Sequence, residues 1–498
     1  MSLPDPKPSP IDHILIDGNA HAPALVTKSV TLTYADAEKA VGALAAALVM
    51  RGFVPGARVA TWLPKTVEAC LMPLAAARAG FVHIPVNPML RRAQVSHILS
   101  DSGASLLLTS AERAATLLPS ALPAGCDIWL EIDGVSARCG SSFLPPSNAD
   151  TDTLVAIFYT SGSTGRPKGV MLSHANLWLG AVSVAHYLGL CGHDRTLAVL
   201  PLGFDYGQNQ LFSTWKAGGC VVPFDYLVPR DVIKAVARHE ITTLAAVPPL
   251  WLQLVESDWS DVGTMIRRVT NSGGALTTGL IDKMQMTFPN ADIYPMYGLT
   301  EAFRSTFLSP DLVSAHPTSM GRAIPFAEII VVDSDGQPAD TGELVHVGPL
   351  VAQGYWQDAE RTAARFKPAP AGSSYGGTAV WSGDTVRRTD DGLLYFVGRE
   401  DEMIKSSGHR ISPLEIEEAA ISSGIVAEAV AHGADDDRLG QVIRLVVRGD
   451  GDEAALRAYL KTELPSHMQP RFIEWREVMP MNANGKIDRA ALRAEVTS

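Results

Sequence analysis

Cysteine is scarce in this sequence, and long apolar runs are missing. The five cysteines among 498 residues are scattered and odd in number, at Cys70, Cys126, Cys139, Cys191 and Cys220. Their spacing fits neither a metal site nor a disulfide framework, so we expect reduced thiols in a cytoplasmic protein. The proline-rich start lacks the apolar segment of a signal peptide. No stretch approaches the roughly 18–20 apolar residues of a membrane helix, which argues against membrane insertion.

Positive charge is also in short supply. Lys and Arg number 41 against 53 Asp and Glu, which gives a formal net charge of -12. Such a surface repels phosphate backbones and anionic lipid, so we expect no nucleic-acid partner. The negative net charge does not exclude small anionic substrates, because a few basic residues can line a cleft in an acidic protein.

The segment most indicative of a binding site is Tyr-Thr-Ser-Gly-Ser-Thr-Gly-Arg-Pro-Lys-Gly at 159–169. It matches none of three common nucleotide-binding or nucleophile motifs. Pro167 interrupts a Walker A loop, Ser161 replaces the first glycine of a nucleophile elbow, and the dinucleotide glycine pattern does not occur. The segment follows an apolar run, and its glycines and hydroxyls suit an anion. We predict a phosphate loop of Thr160, Ser161, Gly162, Ser163, Thr164, Gly165 and Lys168. The alternative is a surface turn of small residues.

The distribution of apolar residues predicts an α/β fold. Strand-like runs alternate with helical patterns over roughly the first 300 residues, which is typical of parallel sheets flanked by helices. From about Met320 to Val397, short strands separated by Asp-Gly and Thr-Gly turns predict antiparallel structure. After Gly398 the pattern changes to a compact α+β unit, so we place a domain boundary there.

Five segments together resemble the acyl-adenylate-forming (AMP-binding) superfamily. The phosphate loop is the first, and the others follow in order: Tyr297-Gly298-Leu299-Thr300-Glu301, Trp381-Ser382-Gly383-Asp384, Gly398–Asp401 with Lys405–Arg410, and Asn484–Arg489. The resemblance implies a large N-terminal domain (1–398) with parallel sheets and a small β-barrel-like part. It also implies a small mobile C-terminal domain (399–498), with a hinge near Asp401.

The resemblance also implies roles for individual residues. ATP and Mg²⁺ are the expected cofactors, with Lys486, Glu301 and Thr300 as catalytic residues and Glu301 holding the metal. Lys486 would bridge the substrate carboxylate and the α-phosphate. The remaining implied contacts are Tyr297 with adenine, Gly273 and Gly274 in the adenine or acyl pocket, Asp384 and Arg399 with ribose, and Gly408 in the thiol-binding loop. Solvated side chains and a surface salt bridge are the alternatives.

The residues expected near the substrate resemble two different groups within the superfamily. Asp205 follows Phe204 as in amino-acid-activating members, where the carboxylate pairs with the substrate ammonium. Met403–Pro413 looks more like the acyl-CoA ligases, and Glu301–Ser305 resembles bacterial acyl-CoA ligases associated with exosortase. Arg304 either reaches a second substrate carboxylate or pairs with an acidic neighbour.

The sequence therefore predicts an AMP-forming acid–thiol ligase that activates a small-molecule carboxylic acid and transfers it to coenzyme A. The alternative is a stand-alone amino-acid adenylating enzyme that loads the phosphopantetheine of a separate acyl carrier protein. A non-catalytic nucleotide-binding scaffold is a third hypothesis, but it should have lost its charged reacting groups. This sequence keeps Lys168, Glu301, Asp384, Arg399 and Lys486.

Overall fold

The computed structural model describes most of the chain: residue 5 and residues 7–118, 122–130, 142–160, 167–399, 402–406, 409–436 and 440–495. Several predicted site residues lie outside this part. They are Ser161, Gly162, Ser163, Thr164 and Gly165 of the phosphate loop, Asp401 of the hinge and Gly408 of the thiol loop.

The described strands, in chain order, are β1 (Pro23–Val26), β2 (Thr31–Thr33), β3 (Arg58–Trp62), β4 (Val82–Pro85), β5 (Leu106–Thr109), β6 (Asp127–Leu130), β7 (Leu154–Thr160), β8 (Lys168–Ser173), β9 (Arg195–Ala198), β10 (Cys220–Pro223), β11 (Thr243–Ala246), β12 (Arg268–Asn271), β13 (Asp292–Tyr297), β14 (Thr306–Phe307), β15 (Ser319–Ala323), β16 (Glu328–Val332), β17 (Thr341–Val347), β18 (Phe366–Pro368), β19 (Thr378–Arg388), β20 (Leu394–Arg399), β21 (Ile404–Ser406), β22 (His409–Ile411), β23 (Glu428–Asp436), β24 (Gly440–Arg448) and β25 (Phe472–Trp475).

The described helices are α1 (Tyr34–Val49), α2 (Val67–Arg78), α3 (Arg92–Ser102), α4 (Ala111–Thr116), α5 (His174–Tyr187), α6 (Asp205–Lys216), α7 (Pro229–His239), α8 (Pro248–Val255), α9 (Thr278–Thr287), α10 (Pro310–Val313), α11 (Ala359–Arg365), α12 (Pro413–Ser422), α13 (Glu453–Glu463) and α14 (Arg489–Ala494). Several begin at a polar cap. Thr33 and Asp36 form a capping box at α1, and Ser173 with Asn176 does the same at α5. In the described part of the chain, no helix combines the length and apolarity needed to cross a bilayer.

The first sheet has the strand order β6-β5-β3-β4-β7-β8. All neighbours in it are parallel except the hairpin β7–β8, in which Thr160 is paired with Lys168. The predicted phosphate loop thus connects the two strands of a hairpin, and its two ends are fixed by main-chain pairing.

The second sheet contains a parallel region and an antiparallel extension. Strands β13-β12-β11-β9-β10-β1 are parallel neighbours, and β14, β15, β20, β19, β17 and β16 continue the same order in antiparallel pairs. The predicted α/β class and the antiparallel strands are therefore present. The antiparallel part that we expected to be barrel-like is continuous with the parallel sheet through β14.

The described residues from 404 to 494 form an α+β unit. Its sheet has the order β22-β21-β24-β23, with β25 parallel to β24. It has its own apolar cores, one built around Ile416, Leu445 and Leu456 and the other around Met479 and Leu492. The exact boundary at 398/399 and the hinge at Asp401 stay predictions.

Candidate active site

Three loops with predicted site residues leave the same edge of the second sheet. The carboxyl ends of parallel strands meet at one edge, and β9, β11, β12 and β13 are consecutive neighbours there. The loop after β9 leads to Phe204 and Asp205, the loop after β12 carries Gly273, and the loop after β13 carries Glu301. The sheet order therefore brings together residues that are almost a hundred positions apart.

The C-terminal Lys486 lies at this edge. A Cβ atom on Gly273 would be 2.4 Å from Cε and 2.8 Å from Nζ of Lys486, so a larger residue at position 273 would displace the end of the lysine side chain. Lys486 Nζ also lies 4.7 Å from the centroid of the Phe204 ring. Burial lowers the pKa of Lys486, and the nearby carboxylate of Asp205 partly opposes that shift. A bound anion would therefore stabilise the charged form of this lysine.

Asn87 holds the turn that carries Lys486. Its Nδ2 donates to the Ala483 carbonyl (2.7 Å) and to Asn484 Oδ1 (2.9 Å). Nothing in the sequence indicated this contact, because the partners are separated by about four hundred residues and an asparagine after β4 has no special spacing. Asn87 is therefore a positioning residue. It stabilises the closed arrangement of the two lobes, in which the C-terminal unit places Lys486 against the N-terminal domain.

We predict that Asn87→Ala slows acyl-adenylate formation about tenfold, because two hydrogen bonds that favour closure are lost. Thioester formation from a preformed acyl-adenylate should change little. Pyrophosphate release and thioester formation are measured separately, with Asn290→Ala as a control that removes a surface side-chain hydrogen bond to Thr264. An equal decrease in both half-reactions would contradict the positioning role.

Glu301 is part of a compact polar triad. Lys168 Nζ lies 2.9 Å from Glu301 Oε1, the Tyr355 hydroxyl donates to the same oxygen at 2.7 Å, and Lys168 also donates to the Tyr355 hydroxyl at 2.7 Å. Burial disfavours the carboxylate, but Lys168 and these hydrogen bonds outweigh it, so the pKa of Glu301 is lowered. Glu301 is therefore held ionised. Tyr355 was not predicted from the sequence, because it lies outside the recognised motifs.

The triad fits a magnesium ion that is mainly bound by phosphate and water. Both contacts to Glu301 go to Oε1, so Oε2 has no partner among the described residues. Within the same described ranges, no group of three or more His, Cys, Asp or Glu side chains forms a complete metal site. Mg²⁺ typically takes one or two protein carboxylates and completes its shell with water and substrate oxygens.

Tyr297, Asp384 and Arg399 form a second polar group. The Tyr297 hydroxyl donates to Asp384 Oδ2, and Arg399 Nε lies 3.0 Å from Oδ1 of the same carboxylate. Burial raises the pKa of Asp384, and Arg399 opposes that shift. Strand pairing places Asp384 directly opposite Arg399. These acceptors and donors suit vicinal sugar hydroxyls, so the group fits the predicted ribose contact. The predicted alternative was a surface salt bridge, and the structure shows an ion pair in which Arg399 is partly exposed and Asp384 is buried.

The remaining predicted residues lie around these groups. Thr160 Oγ1, at the base of the phosphate loop, is buried without a partner among the described residues. Thr300 begins the 3-10 turn Thr300–Ala302. The Gly274 carbonyl accepts a 2.8 Å bond from Asn271. Arg304 Nη1 lies 3.1 Å from Asp205 Oδ2 in a buried ion pair. The structure therefore describes at least one residue from each predicted group: the phosphate-binding, ribose-binding and acyl-binding residues and the catalytic lysine.

We predict that Gly273→Ala lowers the rate of acyl-adenylate formation by about 10- to 100-fold, because displacing a reacting group by about an ångström is this costly. Gly273 has a φ of +83°, and its Cβ would collide with Lys486. Pyrophosphate release measures the effect. Gly279→Ala in α9 is the matched control, since its Cβ meets nothing within 4 Å. A normal rate in Gly273→Ala would show that Lys486 does not work in this position.

Comparison with known families identifies the class of protein. The AMP-binding enzyme family matches residues 16–356, and the AMP-binding enzyme C-terminal domain matches residues 415–486. This chain belongs to the AMP-binding enzyme family and is an adenylate-forming enzyme. The resemblance seen in the five sequence segments is thereby confirmed.

The similar curated sequences are much longer proteins. Tyrocidine synthase 3 of Brevibacillus parabrevis is 31% identical over 492 residues, which cover 96% of this chain but 7% of the relative. Surfactin synthase subunit 2 of Bacillus subtilis is 30% identical over 478 residues, which cover 93% of this chain and 13% of the relative. The chain thus spans about a tenth of the length of these relatives.

The similar solved structures match over whole chains. ATP-bound MatB from Rhodopseudomonas palustris has a TM-score of 0.89 at 24% identity and covers 98% of this chain and 99% of its own. O-succinylbenzoate coenzyme A synthetase (MenE) from Bacillus subtilis, in complex with ATP and magnesium, has a TM-score of 0.84 at 25% identity, again covering 98% and 99%. The predicted fold, a large α/β part followed by a smaller C-terminal part, is confirmed.

Proposed function

We propose that this chain is an AMP-forming acid–thiol ligase that activates a carboxylic acid with ATP and Mg²⁺ and transfers the acyl group to coenzyme A. The observation that carries the proposal is the burial of Lys486 against Gly273 and Phe204, at the sheet edge that also carries Glu301. A lysine from the C-terminal unit is useful there only if an anion is bound between the two lobes.

In the first step, the substrate carboxylate attacks the α-phosphate of ATP and pyrophosphate leaves. Both reactants are anionic, so the enzyme must mainly neutralise charge and fix geometry. Lys486 bridges the carboxylate and the α-phosphate, Lys168 and Glu301 face the phosphates, and Asp384 holds the ribose. Bound Mg²⁺ would neutralise phosphate charge beside Glu301. The carboxylate is already ionised at neutral pH, so no general base is required.

In the second step, a thiol attacks the acyl carbon and AMP leaves. Lys486 fills the closed site, so we propose that the unit 399–498 rotates about Asp401 and brings the loop containing Gly408 to the nucleotide. The motivation is that one small unit carries both the lysine and the predicted thiol loop. The reaction needs cytoplasmic ATP and thiol, which agrees with the cytoplasmic location proposed from the cysteine pattern.

The choice of thiol rests on two lines of comparison. MenE is named as a coenzyme A synthetase and aligns with this chain from end to end, which supports coenzyme A. The second candidate is loading of a separate carrier protein, supported by the identity to peptide synthetases and by Asp205 following Phe204. We favour coenzyme A because Asp205 is already paired with Arg304.

The function is tested by ATP–pyrophosphate exchange across fatty, aryl and amino acids, followed by thioester analysis with the best acid. We expect exchange with a carboxylic acid that lacks an amino group, and a thioester with coenzyme A. A thioester formed only on a phosphopantetheinylated carrier protein would favour the second candidate. Failure to release pyrophosphate with every acid would favour the nucleotide-binding scaffold instead.

A further inference from the structure

Asp205 and Arg304 form an ion pair inside the protein. Nη1 of Arg304 lies 3.1 Å from Oδ2 of Asp205, and the two side chains are only 3% and 4% exposed. The guanidinium also lies over the Tyr206 ring, with its carbon 4.6 Å from the ring centroid. Separating such a pair is costly because it leaves a buried charge uncompensated. Asp205 is therefore not a free carboxylate in this fold.

Several buried polar atoms beside the pair have no hydrogen-bond partner among the described residues. They are Nη2 of Arg304, Oδ1 of Asn209, and both amide heteroatoms of Gln208. Gln208 and Asn209 follow Asp205 by three and four residues in α6, so they share its helix face. Since buried polar atoms are normally hydrogen-bonded, this group is typical of a polar ligand site and atypical of a core.

The pair lies close to the reacting end of the acyl group. The Phe204 ring, one residue before Asp205, lies 4.7 Å from Lys486 Nζ. The charges of Asp205 and Arg304 both act on the pKa of Lys486, which is lowered mainly by burial. If Lys486 holds the substrate carboxylate, a substituent on the first carbons of the acyl chain reaches the pair.

We propose that the Asp205–Arg304 pair selects acids with a hydrogen-bond-accepting oxygen close to the reacting carboxylate, and rejects α-amino acids. This selection rests on the proposed ligase function. Nη2 of Arg304 has no partner among the described residues. It can only donate hydrogen bonds, and a hydroxyl, oxo or second carboxylate oxygen of the substrate can accept them. An ammonium group would have to displace Arg304 from Asp205 and would then face the guanidinium charge.

The test compares acids that differ only at the carbon next to the carboxylate. One set is propionate, lactate, pyruvate, methylmalonate and alanine; the other is hexanoate, 2-hydroxyhexanoate, 2-oxohexanoate, butylmalonate and norleucine. We expect an oxygen-bearing acid to exceed its unsubstituted parent by about 10- to 100-fold in kcat/KM for pyrophosphate release, the effect of one hydrogen bond to a charged group. Both amino acids should stay at background.

The outcomes separate selection from function. Highest activity with an amino acid, or with an unsubstituted acid in these sets or in the broad panel, overturns the selection but leaves the ligase function intact. If none of the tested acids supports pyrophosphate release, that result contradicts both the ligase function and the selection. Comparison of the 2-hydroxy, 2-oxo and 2-carboxy acids shows whether the pair prefers a hydroxyl, an oxo group or a second carboxylate.

Arg304→Met provides a second test. It should remove the preference for the oxygen-bearing acid and raise activity with the matching amino acid, because Asp205 becomes available to the ammonium. The double variant D205N/R304M should lose the oxygen preference without gaining the amino acid, and it leaves no buried charge unpaired, so it also serves if Arg304→Met folds poorly. A purely structural pair would lower kcat/KM for all acids by the same factor, and that result would overturn the selection.

Discussion

Lys486→Ala should slow acyl-adenylate formation by about 100- to 1,000-fold, which is the typical cost of removing one preorganised charge or donor from a transition state. The lysine is buried against Gly273 and Phe204 in the closed arrangement. Water can fill its place but cannot supply a fixed positive charge between two anions. Thioester formation from synthetic acyl-adenylate should change only a few-fold, since the lysine acts before the thiol enters.

Pyrophosphate release and thioester formation are measured side by side on the same variant. Lys461→Ala is the matched control, because that lysine lies exposed on α13 of the same C-terminal unit. Lys486→Arg adds a second comparison, since it keeps the charge but changes the shape of the donor. Equal loss of both half-reactions in Lys486→Ala would contradict the two-state use of the C-terminal unit.

Glu301→Gln should lower the rate of pyrophosphate release by about 100-fold and shift the Mg²⁺ dependence to higher concentration. The substitution keeps the shape of the side chain, and its amide oxygen can still accept from Lys168 and Tyr355, which both contact Oε1. It removes the negative charge, however, and Mg²⁺ prefers anionic oxygen ligands. The loss should therefore appear mainly in metal dependence, with the fold retained.

The measurement is pyrophosphate release over a series of magnesium concentrations at fixed ATP, with thermal unfolding as a check on folding. Glu360→Gln is the control, because Glu360 is an exposed carboxylate in the first turn of α11. An unchanged magnesium requirement in Glu301→Gln would show that the carboxylate serves only to hold Lys168 and Tyr355.

The sequence predicts the family of this protein from local motifs, because each motif places its residues within a few positions of one another. The alternation of apolar strand segments with helical segments also predicts the parallel sheets, since a strand buried on both faces must be apolar throughout. The end of β13 and the loop after it, for example, bring Tyr297 and Glu301 into the site by main-chain connection alone. These predictions need no knowledge of long-range packing.

Long-range partners could not be predicted. The contact of Asn87 with the Ala483–Asn484 turn and the contact of Tyr355 with Glu301 join distant segments. They depend on how sheets and lobes pack, which periodicity does not encode. The same holds for Arg304, where the sequence left open whether it binds substrate or an acidic neighbour. The structure pairs it with Asp205, and the selection of acids that we propose depends on that pairing.

Acyl-adenylate formation is tested most directly by following the oxygen atoms of the substrate acid. The carboxylate of the acid that gives the fastest exchange is labelled with heavy oxygen, and AMP is analysed by mass spectrometry after turnover with ATP, Mg²⁺ and coenzyme A. If the carboxylate attacks the α-phosphate, one labelled oxygen must leave with AMP when the thiol takes the acyl group. Label found in inorganic phosphate together with ADP, or AMP without label, would contradict acyl-adenylate formation.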